Sequence, residues 1–327
     1  GYRGGQVFYN ALLTDIASPD EMGKVSGNGW AIGSIGGIVC LFFILPAIIL
    51  TKSDPELNLL VVRGSFAFTA LFFAVSTIGL FVRVKETRPG RTLPAGETYL
   101  SVAFKRLGNT FRAVRHFREF IKFIISFLIY NDGVLMALNF ASIIGVVLFN
   151  MNQTQLIIFM IIVQVTSAAG AYVFGLLSDR LSFKRTLIVS LVLMMGSVIW
   201  MVLNQTLTGY FIIGALAGFA LTGVQSLSRT MTGLFAPEQK SAEFFSFFAI
   251  AGKSSSFIGP VIFGSLAYRI SLLFEGRGLD PASADQLGYR AGLGVIVVFL
   301  AIGLVILLSV NEKRARKAAE EYAPASD

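Results

Sequence analysis

The chain has 327 residues, of which 54% are hydrophobic and only 14% are charged. Soluble domains carry about 25% charged residues, so the composition excludes an ordinary soluble domain and indicates many membrane-spanning segments. The net charge of +8 is explained by basic cytoplasmic loops of a membrane protein, and we expect no nucleic-acid partner.

Two reactive residue types are almost missing from the chain. It has one cysteine, Cys40, inside an apolar run, and one histidine, His116, in a basic segment. A disulfide needs paired cysteines, and a zinc site or a catalytic triad needs histidine beside other ligands or a nucleophile. We therefore expect no disulfide, no metal, no cofactor and no enzymatic activity.

The apolar residues are grouped into long runs. A helix that crosses a bilayer needs about 20 mainly apolar residues, and eight runs meet this requirement. A more polar segment, from Gly1 to Ala17, precedes them and is typical of the end of another span. The predicted spans cover roughly residues 26–50, 61–82, 120–147, 154–178, 185–203, 208–234, 244–268 and 288–310.

The basic residues indicate the orientation of these spans. If the connection after residue 82 faces the cytoplasm, most lysines and arginines fall in cytoplasmic segments, as is usual in membrane proteins. The large loop 83–116 and the C-terminus are then cytoplasmic. Apolar and basic residues in this loop lie on opposite faces of a predicted amphipathic helix. It is either a linker between two halves or a site for lipids or regulators. Its apolar face comprises Leu100, Phe104, Leu107, Phe111 and Val114.

A short connection between two spans carries the sequence GLLSDRLSFKR, from Gly175 to Arg185. It resembles the signature loop of the major facilitator superfamily, Gly-x-x-x-Asp-Arg-x-Gly-Arg-Lys/Arg, although Ser182 and Phe183 replace the usual glycine and arginine. The glycine allows close helix approach, and the charged residues are suited to a latch at a cytoplasmic gate. The alternative is that the basic residues only anchor the loop. The predicted gate residues are Gly175, Asp179, Arg180, Lys184 and Arg185.

Further stretches narrow the resemblance. FYNALLTDIASPDEMGKVSGNGWAIG, YNDGV and GVQSLSRTMTGLFAPEQKSAEFF with GKSSSFIGP are similar to the vacuole effluxer-like branch of this superfamily. That branch includes fungal autophagy-related exporters of amino acids. The similarity covers nearly the whole chain. It implies an all-α polytopic membrane protein with the major facilitator fold, which exports small solutes by alternating access of two halves.

The same resemblance divides the chain into four parts and implies that spans one to three are missing from it. Residues 1–82 are the remainder of the N-terminal half, with the end of span four and spans five and six. Residues 83–116 are the cytoplasmic linker, 117–311 the complete six-span C-terminal half, and 312–327 the cytoplasmic tail. Crowded glycines in span five predict close packing on the other half, and Gly259 with Pro260 predicts a bend in span eleven.

One apolar run contains the polar sequence Tyr130-Asn131-Asp132-Gly133. Asp132 lies ten residues after Lys122, about 15 Å along a helix, which is close to the middle of the membrane. An ionisable group at this depth is costly and usually faces a cavity or a partner. In the family, this span lines the central cavity, so we predict that Asp132 binds a substrate ammonium, carries a coupling proton, or does both. The predicted path residues on this span are Tyr130, Asn131, Asp132 and Asn139.

Other polar residues complete the predicted path. Lys253 lies at the same predicted depth as Asp132, so a structural ion pair between the two is the alternative to a transport role. Arg3 and Asn10 lie on one face of span four, and Gln225 and Arg229 on one face of span ten; both spans line the cavity in the family. Arg3 either binds a carboxylate or marks the outer membrane edge, and Arg229 either faces the cavity or anchors the cytoplasmic edge.

These observations predict a secondary active exporter of amino acids or similar small zwitterions, with proton coupling left open. The alternatives are a drug or sugar exporter of the same fold and a membrane scaffold without flux. We expect a monomer in a bacterial inner membrane, whose partners are a small-molecule substrate and the lipid bilayer.

Overall fold

The computed structural model describes residues 2–18, 20–84, 98, 117–254 and 258–322, and the regular elements in these ranges are all helices. A short 3-10 turn, Glu238–Lys240, is the one element that is not an α-helix there. In chain order the α-helices are α1 (Tyr2–Ala11), α2 (Leu13–Ile16), α3 (Met22–Leu50), α4 (Pro55–Arg83), α5 (Arg118–Phe149), α6 (Gln153–Arg180), α7 (Phe183–Leu203), α8 (Leu207–Phe235), α9 (Ser241–Ser254), α10 (Ile258–Glu275), α11 (Pro281–Leu308) and α12 (Glu312–Glu320).

Eight helical segments in these ranges are long and apolar enough to cross a membrane, which confirms the predicted number of spans. Helices α3 to α8 and α11 each form one of them, and the remaining segment runs from Ser241 to Glu275. Within it, α9 and α10 flank residues 255–257, which lie outside the described residues. The predicted bend at Gly259 and Pro260 borders on these residues and stays a prediction.

The spans begin at residues whose side chains accept hydrogen bonds from the free amides of the first helical turn. Asp54 does so for α4 and Asp280 for α11, and in both cases proline follows at the first helical position, where it needs no amide partner. Asn152 forms a capping box at the start of α6. At the end of α5, Asn150 adopts a left-handed conformation with φ of 49°. These local signals allow short connections between antiparallel spans.

Helices α5 to α11 pack into one bundle with a continuous apolar core. Helix α5 lies along α11, α6 lies along α8, and α7 contacts both α8 and α11. Large side chains between them are completely buried, among them Tyr130, Tyr210 and Leu187. This bundle holds the polar part of α5 in place.

The predicted boundaries of the four chain parts stay predictions, and the amphipathic helix expected in loop 83–116 lies outside the described residues.

The N-terminal helices contact this bundle through α3, which packs on α6 and α8, and through α1, which packs on α9. At the crossing of α3 and α6, a Cβ added to Gly27 would lie 2.7 Å from Ala171 O and 3.0 Å from Gly175 Cα. Only a glycine permits backbones to approach this closely. The expected close packing of span five is therefore present at Gly27, whereas a Cβ at Gly33 would meet no described atom within 4 Å.

Candidate functional site

The polar sequence of α5 faces α8 inside the bundle. Tyr130 is completely buried, and its hydroxyl lies 2.6 Å from Ser228 Oγ. The neighbouring Asn131 accepts a hydrogen bond of 3.1 Å from Gln225 Nε2, and its own Nδ2 donates to Gly252 O at 3.4 Å. These bonds join α5, α8 and α9, which belong to the predicted spans seven, ten and eleven. The structure thus brings together three of the predicted path residues, Tyr130, Asn131 and Gln225.

Asp132 is completely buried near the middle of α5. Its Oδ2 accepts a hydrogen bond of 2.9 Å from the backbone amide of Gly259 on α10. Its Oδ1 has no hydrogen-bond partner among the residues that the structure describes. A buried carboxylate oxygen is costly unless it meets a donor or carries a proton.

Arg229 provides a buried cation on α8. Its side chain is 7% exposed, and the guanidinium carbon lies 5.2 Å from the ring centre of Tyr9 on α1. Its Nε is buried and has no partner within the described part of the chain. Arg229 is thus buried against α1, and the choice between a cavity residue and an anchor at the membrane edge stays a prediction. Asn10, the next residue after Tyr9, is half-buried.

Two further predicted residues, Lys253 and Asn139, are exposed. The structure describes a hydrogen bond of Asp132 with the Gly259 amide, and the ion pair between Asp132 and Lys253 that was the alternative stays a prediction. Asn139 lies two helical turns beyond Asp132 on α5, and its place on the path stays a prediction. Arg3 lies on α1, but its side chain is outside the described residues.

Sequence reasoning missed several contributors to the site. Ser228 and Tyr9 are partners of Tyr130 and Arg229, and Gly252 and Gly259 act through backbone atoms. A polar stripe on span ten pointed to this face of α8. Nothing in the sequence indicates which backbone amide reaches Asp132, since that contact joins residues far apart in the chain.

The predicted gate residues separate into two groups. Gly175 is buried against α3, as expected for close helix packing, whereas Asp179, Arg180 and Arg185 are exposed. Among the described residues, no hydrogen bond or ion pair reaches Asp179, so the predicted latch stays a prediction.

The side chain of Lys184 contacts backbone carbonyls at the end of α11. Its Nζ donates to Leu308 O at 2.7 Å and to Val310 O at 2.6 Å, at the end of α11. Free carbonyls at a helix C-terminus favour a cation, and Lys184 supplies it. Glu312 on α12 in turn accepts a 3.1 Å bond from the Lys184 backbone amide.

The tail helix α12 continues this set of contacts. Glu312 forms an ion pair of 2.9 Å with Arg316, and the Arg316 guanidinium lies 5.2 Å from the ring centre of Phe183. Just before α12, the Asn311 amide donates to Glu119 Oε2 at 2.6 Å. The tail therefore ties together the neighbouring ends of α5, α7 and α11.

The fold is that of solved major facilitator structures. The chain is similar to the Escherichia coli fucose:proton symporter FucP, with a TM-score of 0.57 and 13% identity over 91% of this chain and 72% of that one. It is also similar to a bacterial homologue of the human lysosomal transporter Spinster, with a TM-score of 0.53 and 16% identity over 97% of this chain and 76% of that one. The protein is thus a multi-pass integral membrane protein with the major facilitator fold.

The branch of the superfamily follows from the sequence comparison. Residues 14–320 match the family described as Vacuole effluxer Atg22 like, and the chain belongs to this family. It is 26% identical to the uncharacterized MFS-type transporter YxiO of Bacillus subtilis, over 98% of this chain and 71% of that protein. It is 25% identical to Autophagy-related protein 22-1 of Penicillium rubens, over 75% of this chain and 44% of that protein. The chain thus spans about half the length of the fungal relatives it matches.

Proposed function

We propose that the whole protein is a secondary active transporter that exports amino acids or similar small zwitterions by alternating access. One observation carries this proposal: Asp132 is completely buried in the middle of a membrane span, and its Oδ1 has no described partner. Intramembrane carboxylates of this kind usually serve a substrate or proton path. The effluxer family to which the chain belongs supports export as the direction.

The site offers opposite charges for the two ends of a zwitterion. Asp132 Oδ1 is suited to the ammonium group, and Arg229 is suited to the carboxylate because a guanidinium presents a fork of parallel donors. The bond between Tyr130 and Ser228, the residue before Arg229, holds this part of α8 against α5. Gln225 lies one helical turn from Arg229, about 6 Å along α8, and contacts Asn131.

The position of these groups supports alternating access. Arg229 contacts Tyr9 on α1, and Ser26 on α3 donates to Ser226 O at 3.1 Å, so the polar cluster borders on the contact between N-terminal and C-terminal helices. A zwitterion would neutralise both buried charges and make closure over the site less costly. Protonation of Asp132 would neutralise one of them, which is how export would couple to a proton.

The location is part of the same proposal. The bacterial relative supports a bacterial inner membrane, and the charge distribution supports a cytoplasmic loop 83–116 and a cytoplasmic tail. We propose a monomer because the substrate site is built between helices of one chain.

The test uses the full-length protein in liposomes loaded with a mixture of labelled amino acids. We expect efflux that depends on a proton gradient and is lost in Asp132→Asn. Glu56→Gln makes the same carboxylate-to-amide change at an exposed position of α4 and should keep normal efflux. Normal efflux in Asp132→Asn would remove Asp132 from the proposal.

The same liposomes separate the alternatives. If folded wild-type protein releases no amino acid, the amino-acid proposal fails. Efflux of labelled sugars or cationic drugs would then favour the other exporter class, and no flux of any solute would favour a scaffold.

A further inference from the structure

Adjacent residues of α5 hold both flanks of the undescribed stretch in span eleven. Asn131 Nδ2 donates to Gly252 O near the end of α9, and Asp132 Oδ2 accepts from the Gly259 amide at the start of α10. The site is therefore connected through two hydrogen bonds to the segments before and after residues 255–257. Both contacts on span eleven are made by glycine backbone atoms.

Gly259 permits this approach because it has no side chain. A Cβ at this position would lie 2.8 Å from Asp132 Oδ2 and 2.8 Å from Met136 Sδ. Carbon atoms do not approach these atoms so closely without displacing them. Any larger residue at position 259 must push the Asp132 carboxylate or α10 away, even though its own amide would remain.

The hydrogen bond from the Gly259 amide to Asp132 Oδ2 is of a strong kind. A hydrogen bond from an amide to a carboxylate is charge-assisted and about twice as strong as a neutral one. Gly259 lies in α10, within the membrane-spanning segment from Ser241 to Glu275. Inside a membrane, water does not replace a lost hydrogen-bond partner. The amide and the carboxylate therefore stabilise each other.

We propose that Gly259 is the positioning residue of Asp132: its amide fixes Oδ2, so that Oδ1 is presented to the cationic group of the substrate. The same bond links the site to the start of α10, so that a change at Asp132 is transmitted to span eleven. The role of Oδ1 rests on the proposed amino-acid export, whereas the positioning of Oδ2 does not.

Hydrogen exchange of the full-length protein tests the link without any transport assay. Asp132→Ala removes the acceptor, and Asp132→Asn keeps a carbonyl oxygen in its place. We expect amide exchange near Gly259 to rise about tenfold in Asp132→Ala, the loss of a bond worth ~1.4 kcal/mol, and to rise less in Asp132→Asn, because its neutral carbonyl accepts a weaker bond. Equal exchange in both variants and the wild type would overturn the proposal.

Transport kinetics test the positioning role. We expect Gly259→Ala to raise KM for efflux about tenfold or more, the usual effect of misplacing one charge-assisted contact, with a smaller change in kcat. Gly264→Ala is the matched control, because a Cβ there meets no described atom within 4 Å. Equal KM values for the two variants would overturn the role of Gly259. If the wild type moves no amino acid, or Gly259→Ala does not fold, the exchange experiment alone decides.

Discussion

The Arg229 guanidinium lies 5.2 Å from the ring centre of Tyr9, which places a buried cation between an N-terminal and a C-terminal helix. We expect Arg229→Lys to raise KM for a zwitterionic substrate about thirtyfold, since a hydrogen bond to a charged group contributes about 2 kcal/mol and lysine lacks the planar fork. Efflux kinetics measure this. Arg63→Lys, on an exposed part of α4, should leave KM unchanged, and similar values for both variants would argue against a carboxylate at Arg229.

Close packing of α3 on α6 predicts that Gly27→Ala destabilises the protein. The added methyl group would collide with Ala171 O and Gly175 Cα, and overpacking of this kind costs about 1–3 kcal/mol. Thermal unfolding in detergent measures the effect. Gly33→Ala on the same helix has open space and should be neutral or stabilising, so equal losses in both variants would contradict the packing argument.

The bond between Tyr130 and Ser228 predicts coupled mutational effects. Tyr130→Phe and Ser228→Ala each remove one partner of the 2.6 Å contact, and we expect each to cost about 1–2 kcal/mol of unfolding free energy. Because the same bond is lost in both, the double variant should cost less than the two single variants together. Unfolding of the three variants in detergent tests this, and strict additivity would show that the two hydroxyls do not interact.

The contacts of Lys184 predict a structural role at the end of α11. We expect Lys184→Met to leave the carbonyls of Leu308 and Val310 without their cation and to increase amide exchange in α12 several-fold, at a cost of about 1 kcal/mol. Arg185→Met changes an exposed neighbour and should leave α12 protected. If only gating responds and α12 exchange does not, Lys184 acts as a latch residue instead.

The sequence by itself determined the class of the protein. An α-helix that spans a bilayer must be long and apolar, so eight apolar runs predicted the eight spans found in the described part of the chain. The signature loop and the effluxer-like stretches predicted the family to which residues 14–320 belong. The sequence also predicts a role for Asp132, because an aspartate in the middle of a span is costly and usually faces a cavity or a partner.

Only the tertiary structure decided which groups meet. Helical spacing placed Asn139 on the same face as Asp132, and its role in the path stays a prediction. Equal predicted depth suggested Lys253 as a partner of Asp132; the structure describes a bond from the Gly259 amide to Asp132, and the pair with Lys253 stays a prediction. Spacing along one helix defines a face, whereas the partner across a contact depends on how two helices are rotated and shifted, which packing between distant segments determines.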